Sequence, residues 1–252
     1  MRALVALVVG GVAYLALSAA PPAAEQQAAA DAPVVLAASS LTEVLPRIEP
    51  AGQYGFGGSN QLAQQIRFGA PFDVFLSASP VYTRALLSEG FVRKPIAFAT
   101  NSLVLIVPRS NPQRIASVHD LAKRPKLRLV VAGPKVPIGL YTREVLKRLG
   151  MLKVLKKTVS LESDVKGVVG KVALGQADAG FVYVTDARAV SDQVSVIRIP
   201  AWAQPRVRYE IAVVSKSTKK AAAQAWIRTL LSPKGQAALK AYGFLPLPKA
   251  SS

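Results

Sequence analysis

The chain has no cysteine, which excludes disulfides, thiolate metal sites and an acylated lipoprotein cysteine. It has a single histidine, His119, and that residue lies in Ser117-Val118-His119-Asp120, which reads as an ordinary helix start. A hydrolase needs serine, histidine and an orienting carboxylate to converge. No Gly-x-Ser-x-Gly elbow, phosphate loop or metal-ligand cluster is present. The chain is therefore read as a non-enzyme with no cofactor and no bare metal ion. Acidic residues are scarce as well, 14 Asp/Glu against 32 Lys/Arg, a formal net charge of +18. After residue 20 no apolar run is long enough to cross a bilayer.

What is present starts at the N-terminus. Met1-Arg2 precedes an uncharged stretch from Ala3 to Ala20, followed by Pro21-Pro22-Ala23-Ala24. A short positive start, an apolar run and a small-residue exit predict a secretory signal over residues 1–24, with a loose leader over 25–31. An uncleaved anchor is the alternative. Either way the protein is exported, to the periplasm or the outer face of the cytoplasmic membrane. Without the signal, 31 basic residues still face 14 acidic ones, and residues 99–208 alone hold 19 Lys/Arg against 7 Asp/Glu. Such a field attracts anions. Lys147, Arg148, Lys153, Lys156 and Lys157 carry no interleaved aromatics, and no nucleic-acid signature appears, so nucleic acid is not expected as a partner.

With 51% apolar residues the chain can bury a large core. Short β-rich runs alternate with helical patterns, which predicts α/β layering. Strands are read at Val34–Ala38, Gln53–Phe56, Asp73–Ser77, Leu103–Val107, Leu127–Ala132, Ala179–Val184 and Tyr209–Val214. Helices are read at Leu41–Ile48, Asn60–Phe68, Pro80–Ser88, Ser117–Ala122, Pro137–Leu149, from Ser163 or Asp164 to about Gly175, Lys219–Leu231 and Pro233–Tyr242. Ser40 and Glu43 have the spacing of a capping box.

Four segments read as polar or glycine-rich turns at helix starts or strand ends: Ala37–Glu43, Gly57–Asn60, Val136–Gly139 and Val182–Asp186. Helix N-termini present unpaired N–H groups and partial positive charge, so such turns form a cradle for an anion. Ser40 and Ser59 stand where helices begin, whereas strand alternation would turn Ser39 away.

In order along the chain, Ala38-Ser39-Ser40-Leu41-Thr42-Glu43, Phe56-Gly57-Gly58-Ser59, Gly69-Ala70-Pro71-Phe72-Asp73-Val74-Phe75-Leu76-Ser77-Ala78, Val136-Pro137-Ile138-Gly139-Leu140-Tyr141, Asp164-Val165-Lys166-Gly167 and Phe181-Val182-Tyr183-Val184-Thr185-Asp186 resemble the periplasmic molybdate-binding proteins of ABC importers. The likeness extends over about residues 33–246. It implies a two-lobed periplasmic-binding-protein fold, each lobe a mixed sheet flanked by helices, joined by two hinge crossovers. Residues 32–98 plus 209–252 would form lobe I and 99–208 lobe II. It also implies a monomer that hands its ligand to an ABC permease. The implied oxyanion contacts are Ser40, Ser59, Ile138, Val165 and Tyr183. Ile138 departs from the family's usual alanine, and Asn60 and Gln61 replace smaller residues.

None of these five positions is acidic. A donor-only set suits a fully ionised oxyanion, whereas hydrogen phosphate also needs an acceptor. Molybdate or tungstate is the expected ligand. Sulfate or another small anion on the same fold is one alternative; a basic surface module binding anionic lipid or polymer is another. Metal-binding relatives cluster tyrosines, and Tyr183 has no tyrosine beside it in sequence.

Overall fold

The structure, a computed structural model, describes residues 31–248. The expected signal segment and residues 25–30 of the leader lie outside the described residues.

The strands form two five-stranded mixed sheets with the same internal logic. In the first, β1 (Val34–Ala38) pairs in parallel with β2 (Gln53–Gly57) on one side and β3 (Val74–Ser77) on the other. Then β10 (Tyr209–Val213) lies antiparallel between β3 and β4 (Ile96–Ala99), giving the order β2-β1-β3-β10-β4. In the second, β6 (Leu129–Ala132) pairs in parallel with β7 (Thr158–Glu162) and β8 (Ala179–Tyr183). There β5 (Leu103–Pro108) is antiparallel to both β8 and β9 (Val194–Arg198), giving β7-β6-β8-β5-β9. The chain passes between sheets twice, from β4 to β5 and from β9 to β10.

β5 and β8 are buried at every position, as continuous apolar runs in helix-covered sheets should be, and β10 is buried throughout although it carries Glu210, which pairs with Arg208 at 3.3 Å. The covering helices are α1 (Leu45–Ile48), α2 (Ser59–Arg67), α3 (Pro80–Ser88), α4 (Asp120–Lys123), α5 (Pro137–Arg148), α6 (Val165–Ala173), α7 (Val184–Ala189), α8 (Lys220–Leu231) and α9 (Pro233–Ala241). In α2, buried Leu62, Ala63 and Ile66 form the inward stripe that packs with Leu36 and Phe75 of the first sheet. A larger core cluster spans both sheets. Between them Tyr209 meets Tyr183 at 6.0 Å and Phe244 at 5.3 Å, centroid to centroid.

One predicted element fails. The continuous helix over Leu41–Ile48 is a 3-10 turn (Ser39–Leu41), a bend, and then α1. Pro46 has no N–H to continue a helical ladder from Leu41. The capping box fails with it: no side chain caps this turn, the Ser40 hydroxyl is 2.8 Å from the Tyr209 phenol, and Glu43 pairs with Lys166. The strands β4, β7 and β9 had no counterpart in the sequence reading.

Candidate functional site

Six strands deliver their C-terminal ends to one small cavity. β1 runs into Ser39 and Ser40, β2 into Gly58 and Ser59, and β3 into Ala78. From the second sheet, β6 leads to Val136, Pro137 and Ile138, β7 to Asp164 and Val165, and β8 ends in Tyr183. The carboxyl ends of strands in open α/β sheets are where ligands sit. All five sequence-predicted contacts, Ser40, Ser59, Ile138, Val165 and Tyr183, line this cavity of ≈ 10 Å³. A roomier depression of ≈ 270 Å³ beside it shares only Ser40 and is lined by charged Glu43 and Arg188 and by Val44, Thr185, Tyr242 and Phe244. Its lining carries a carboxylate and a guanidinium, whereas the smaller cavity gathers the ends of six strands.

Each of the five can donate inward. Pro137 occupies the first turn of α5 and has no N–H, and no side chain caps that helix, so the Ile138 amide is the first one available. At α6, Asp164 Oδ1 accepts from the amides of Lys166 (2.8 Å) and Gly167 (3.1 Å). Of the first-turn donors, this leaves the Val165 N–H. Ser59 Oγ accepts from the Ala78 amide at 3.1 Å, which frees its own proton for another acceptor. Ser40 Oγ lies 2.8 Å from the Tyr209 hydroxyl, and its own proton is free to point inward when the phenol is the donor of that pair. The Tyr183 hydroxyl is buried with no hydrogen-bond partner among the described residues. Burial pushes its phenol well above the ordinary tyrosine value, and neighbouring Tyr209, Tyr141 and Asp186 add to this. Tyr183 is therefore a protonated donor at any physiological pH.

Several participants were not legible in the sequence. Ser39 lines the cavity, because β1 stops at Ala38 and strand alternation no longer governs it. Asp164 is also among the lining residues, and two backbone amides engage one of its carboxylate oxygens. Among the described residues no Lys or Arg lines the cavity. Tyr141 and Tyr209 flank Tyr183 in space, at 6.5 and 6.0 Å, though remote in sequence. Neither lines the cavity; Tyr141 donates to the Ala78 carbonyl at 3.2 Å. The Ile138 side chain is buried in the core cluster, and Asn60 and Gln61 lie outside the lining. Asp73 is a structural pin, accepting from the Val34 amide at 2.8 Å and the Ser217 hydroxyl at 2.6 Å.

Contacts on both flanks draw the two sheets together. Tyr82 donates to the Lys135 carbonyl, and Lys166 Nζ lies 3.3 Å from Glu43 and 3.2 Å from Asp186. Asp186 is buried, and that burial lifts its carboxyl to about 6, with Lys166 partly offsetting the rise. The folded-state value lies above the usual carboxylate value of about 3.9, so the folded protein holds this proton more tightly. The stabilisation is present near pH 4 and is lost as pH rises through 6. The melting temperature of wild type relative to Asp186→Asn should therefore fall between pH 4 and pH 7. A difference constant with pH in thermal melts would mean that Asp186 is ionised throughout.

The family described as bacterial extracellular solute-binding protein matches residues 34–245. The chain is 37% identical over 221 residues to the molybdate-binding protein ModA of Mycobacterium tuberculosis, covering 84% of this chain and 83% of that one. It is 31% identical over 231 residues to the Escherichia coli molybdate-binding protein ModA, covering 83% and 87%. Among solved structures, the Azotobacter vinelandii periplasmic molybdate-binding protein aligns with a TM-score of 0.77 at 24% identity, over 86% of this chain and 99% of that one. The Mycobacterium tuberculosis sulfate-binding protein SubI aligns with a TM-score of 0.75 at 17% identity, over 86% and 88%. At those identities the two structures speak to the two-lobed fold alone. By sequence and fold together, the chain belongs to the bacterial extracellular solute-binding proteins.

Proposed function

We propose that this protein captures molybdate or tungstate outside the cytoplasm and delivers it to an ABC permease. The observation that carries the reading is the convergence of Ser40, Ser59, Ile138, Val165 and Tyr183 on one cavity with no basic side chain. Hydroxyls and amides fixed at strand ends bind a dianion through directed hydrogen bonds, without a counter-charge. The names of the relatives at 37% and 31% identity point to the same ligand. In this reading residues 32–98 with 209–252 form one lobe, 99–208 the other, and the lobes close on the anion.

Asp164 bears on selectivity. A carboxylate in the wall repels a dianion unless its charge is engaged, and its bonds to the Lys166 and Gly167 amides do that. Sulfate is the second reading, since the same donors fit it. Calorimetric titration with molybdate, tungstate, sulfate and phosphate separates these. Molybdate and tungstate should bind tightest, and at 100-fold excess over Kd each should stabilise the fold by about 2.7 kcal/mol. Absence of heat and of stabilisation with both would overturn the assignment; tighter sulfate binding would move it to the second reading.

A further inference from the structure

We propose a second binding surface, on the far edge of the second sheet, that docks on an anionic phospholipid bilayer. β7 is the terminal strand of its sheet and pairs only with β6, so its other edge is open. Natural proteins commonly blunt such edges. Here Val159 (57%) and Leu161 (61%) are exposed, and strand alternation puts both on the same face. With Arg143, Leu155, Thr158 and Ser160 they line a surface groove of ≈ 440 Å³. The 3-10 turn Leu152–Lys157, which leads directly into β7, adds exposed Leu152, Lys153 and Lys156.

The charge around this edge is extreme. Residues 121–162 hold eleven Lys/Arg and two acidic residues, Glu144 and Glu162, and Glu162, the last residue of β7, is paired with Lys171 at 3.4 Å. Glu144 is already paired with Arg148 at 2.5 Å. Not every cation is free: Arg128 pairs with Asp178 at 2.7 Å, and Lys157 Nζ donates to the carbonyls of Leu121, Ala122 and Arg124. Lys153 and Lys156 contact no carboxylate among the described residues.

Exposed apolar side chains set among unpaired lysines match an interface whose charge is negative and whose interior is apolar. A soluble polyanion would use the lysines but not Val159 or Leu161. A single acidic strand added to β7 would use the edge but leave the cations spread over α5 and the 3-10 turn unmatched. The open backbone groups of β7 need water, so only side chains enter the acyl boundary and the strand stays at headgroup level. This surface excludes the cavity residues.

Co-sedimentation of the exported protein with vesicles of phosphatidylcholine, with and without phosphatidylglycerol, tests the proposal. Binding should require phosphatidylglycerol. Lys153→Gln with Lys156→Gln should weaken it about thirtyfold. Val159→Ser with Leu161→Ser should weaken it about tenfold. Both pairs should keep the wild-type melting temperature and oxyanion affinity. Equal binding to both vesicle types overturns the proposal. So does insensitivity to the apolar pair together with full competition by polyphosphate, which marks a plain polyanion surface. Dimerisation abolished by Leu161→Ser, or protection of β7 amides from hydrogen exchange by an alternating Glu-Val peptide but not by vesicles, would assign the edge to another occupant.

Discussion

Gly58→Ala is expected to remove tight anion binding while leaving the fold standing. A Cβ at Gly58 would lie 2.4 Å from the backbone oxygen of Ser163 and 2.8 Å from Asn60 Oδ1. The Asn60 side chain can swing away; the Ser163 carbonyl, one residue before the Asp164 cap, cannot without moving α6. Local strain is not the cause, because Gly58 has φ −66 and ψ 130, a conformation open to any residue. The methyl group acts as a spacer between the two halves of the cavity. Separation removes Ile138, Val165 and Tyr183 from an anion still held by Ser40 and Ser59. Each hydrogen bond to a charged group is worth about 1.5–3 kcal/mol, so losing three costs at least about 4 kcal/mol, roughly a thousandfold in affinity. Titration calorimetry gives the affinity, and small-angle scattering with molybdate present should show a less compact particle than wild type. Unchanged affinity would mean that this contact does not limit closure.

The same close approach marks the limit of what the sequence made legible. The buried strands were readable because β1, β5, β8 and β10 are nearly continuous apolar runs, and turn residues bracket them. β7 and β9 escaped because half-exposed edge strands mix polar and apolar residues without a clear stop, and β4, with two alanines among its four residues, carries little strand propensity. Helix starts were read well where local chemistry decides, as with Pro137 and with the Asp164 cap. The Ser40–Glu43 cap failed because tertiary partners outbid local ones: Tyr209, 169 residues away, takes the serine hydroxyl, and Lys166 takes the glutamate. The five residues that line the cavity were legible as positions through motif order, since each stands at or just after a strand end and local sequence fixes that position. Their supports, Tyr141, Tyr209 and the Ala78 backbone, are brought in by topology. The return of β10 into the first sheet carries Tyr209 to Ser40, and no periodicity within Tyr209–Val213 encodes that. Nothing in the sequence separates Lys157 from the lysines around it, yet its Nζ donates to three carbonyls at the end of α4.

Tyr183→Phe should separate ligand binding from stability, because the hydroxyl has no partner within the protein among the described residues. The side chain is 1% exposed. An unpaired buried hydroxyl costs about 1–3 kcal/mol. Deleting it should leave the ligand-free protein at least as stable as wild type. The ring stays, so the edge contacts with Tyr141 and Tyr209 are retained. Binding should move the other way. Tyr183 is the one phenol lining the cavity, and burial keeps its proton in place. Losing that donor removes a charge-assisted hydrogen bond worth up to about 3 kcal/mol, roughly a hundredfold in Kd. Thermal melts without ligand and calorimetry with molybdate make the comparison. Lower ligand-free stability with unchanged affinity would reverse the assignment, making the hydroxyl a structural group whose partner is in the protein. A fall in both would mean that the phenol holds β8 in place as well as binding the anion. Wild-type affinity should also stay flat as pH rises through the usual tyrosine value of about 10, because the phenol that donates is held far above it by burial.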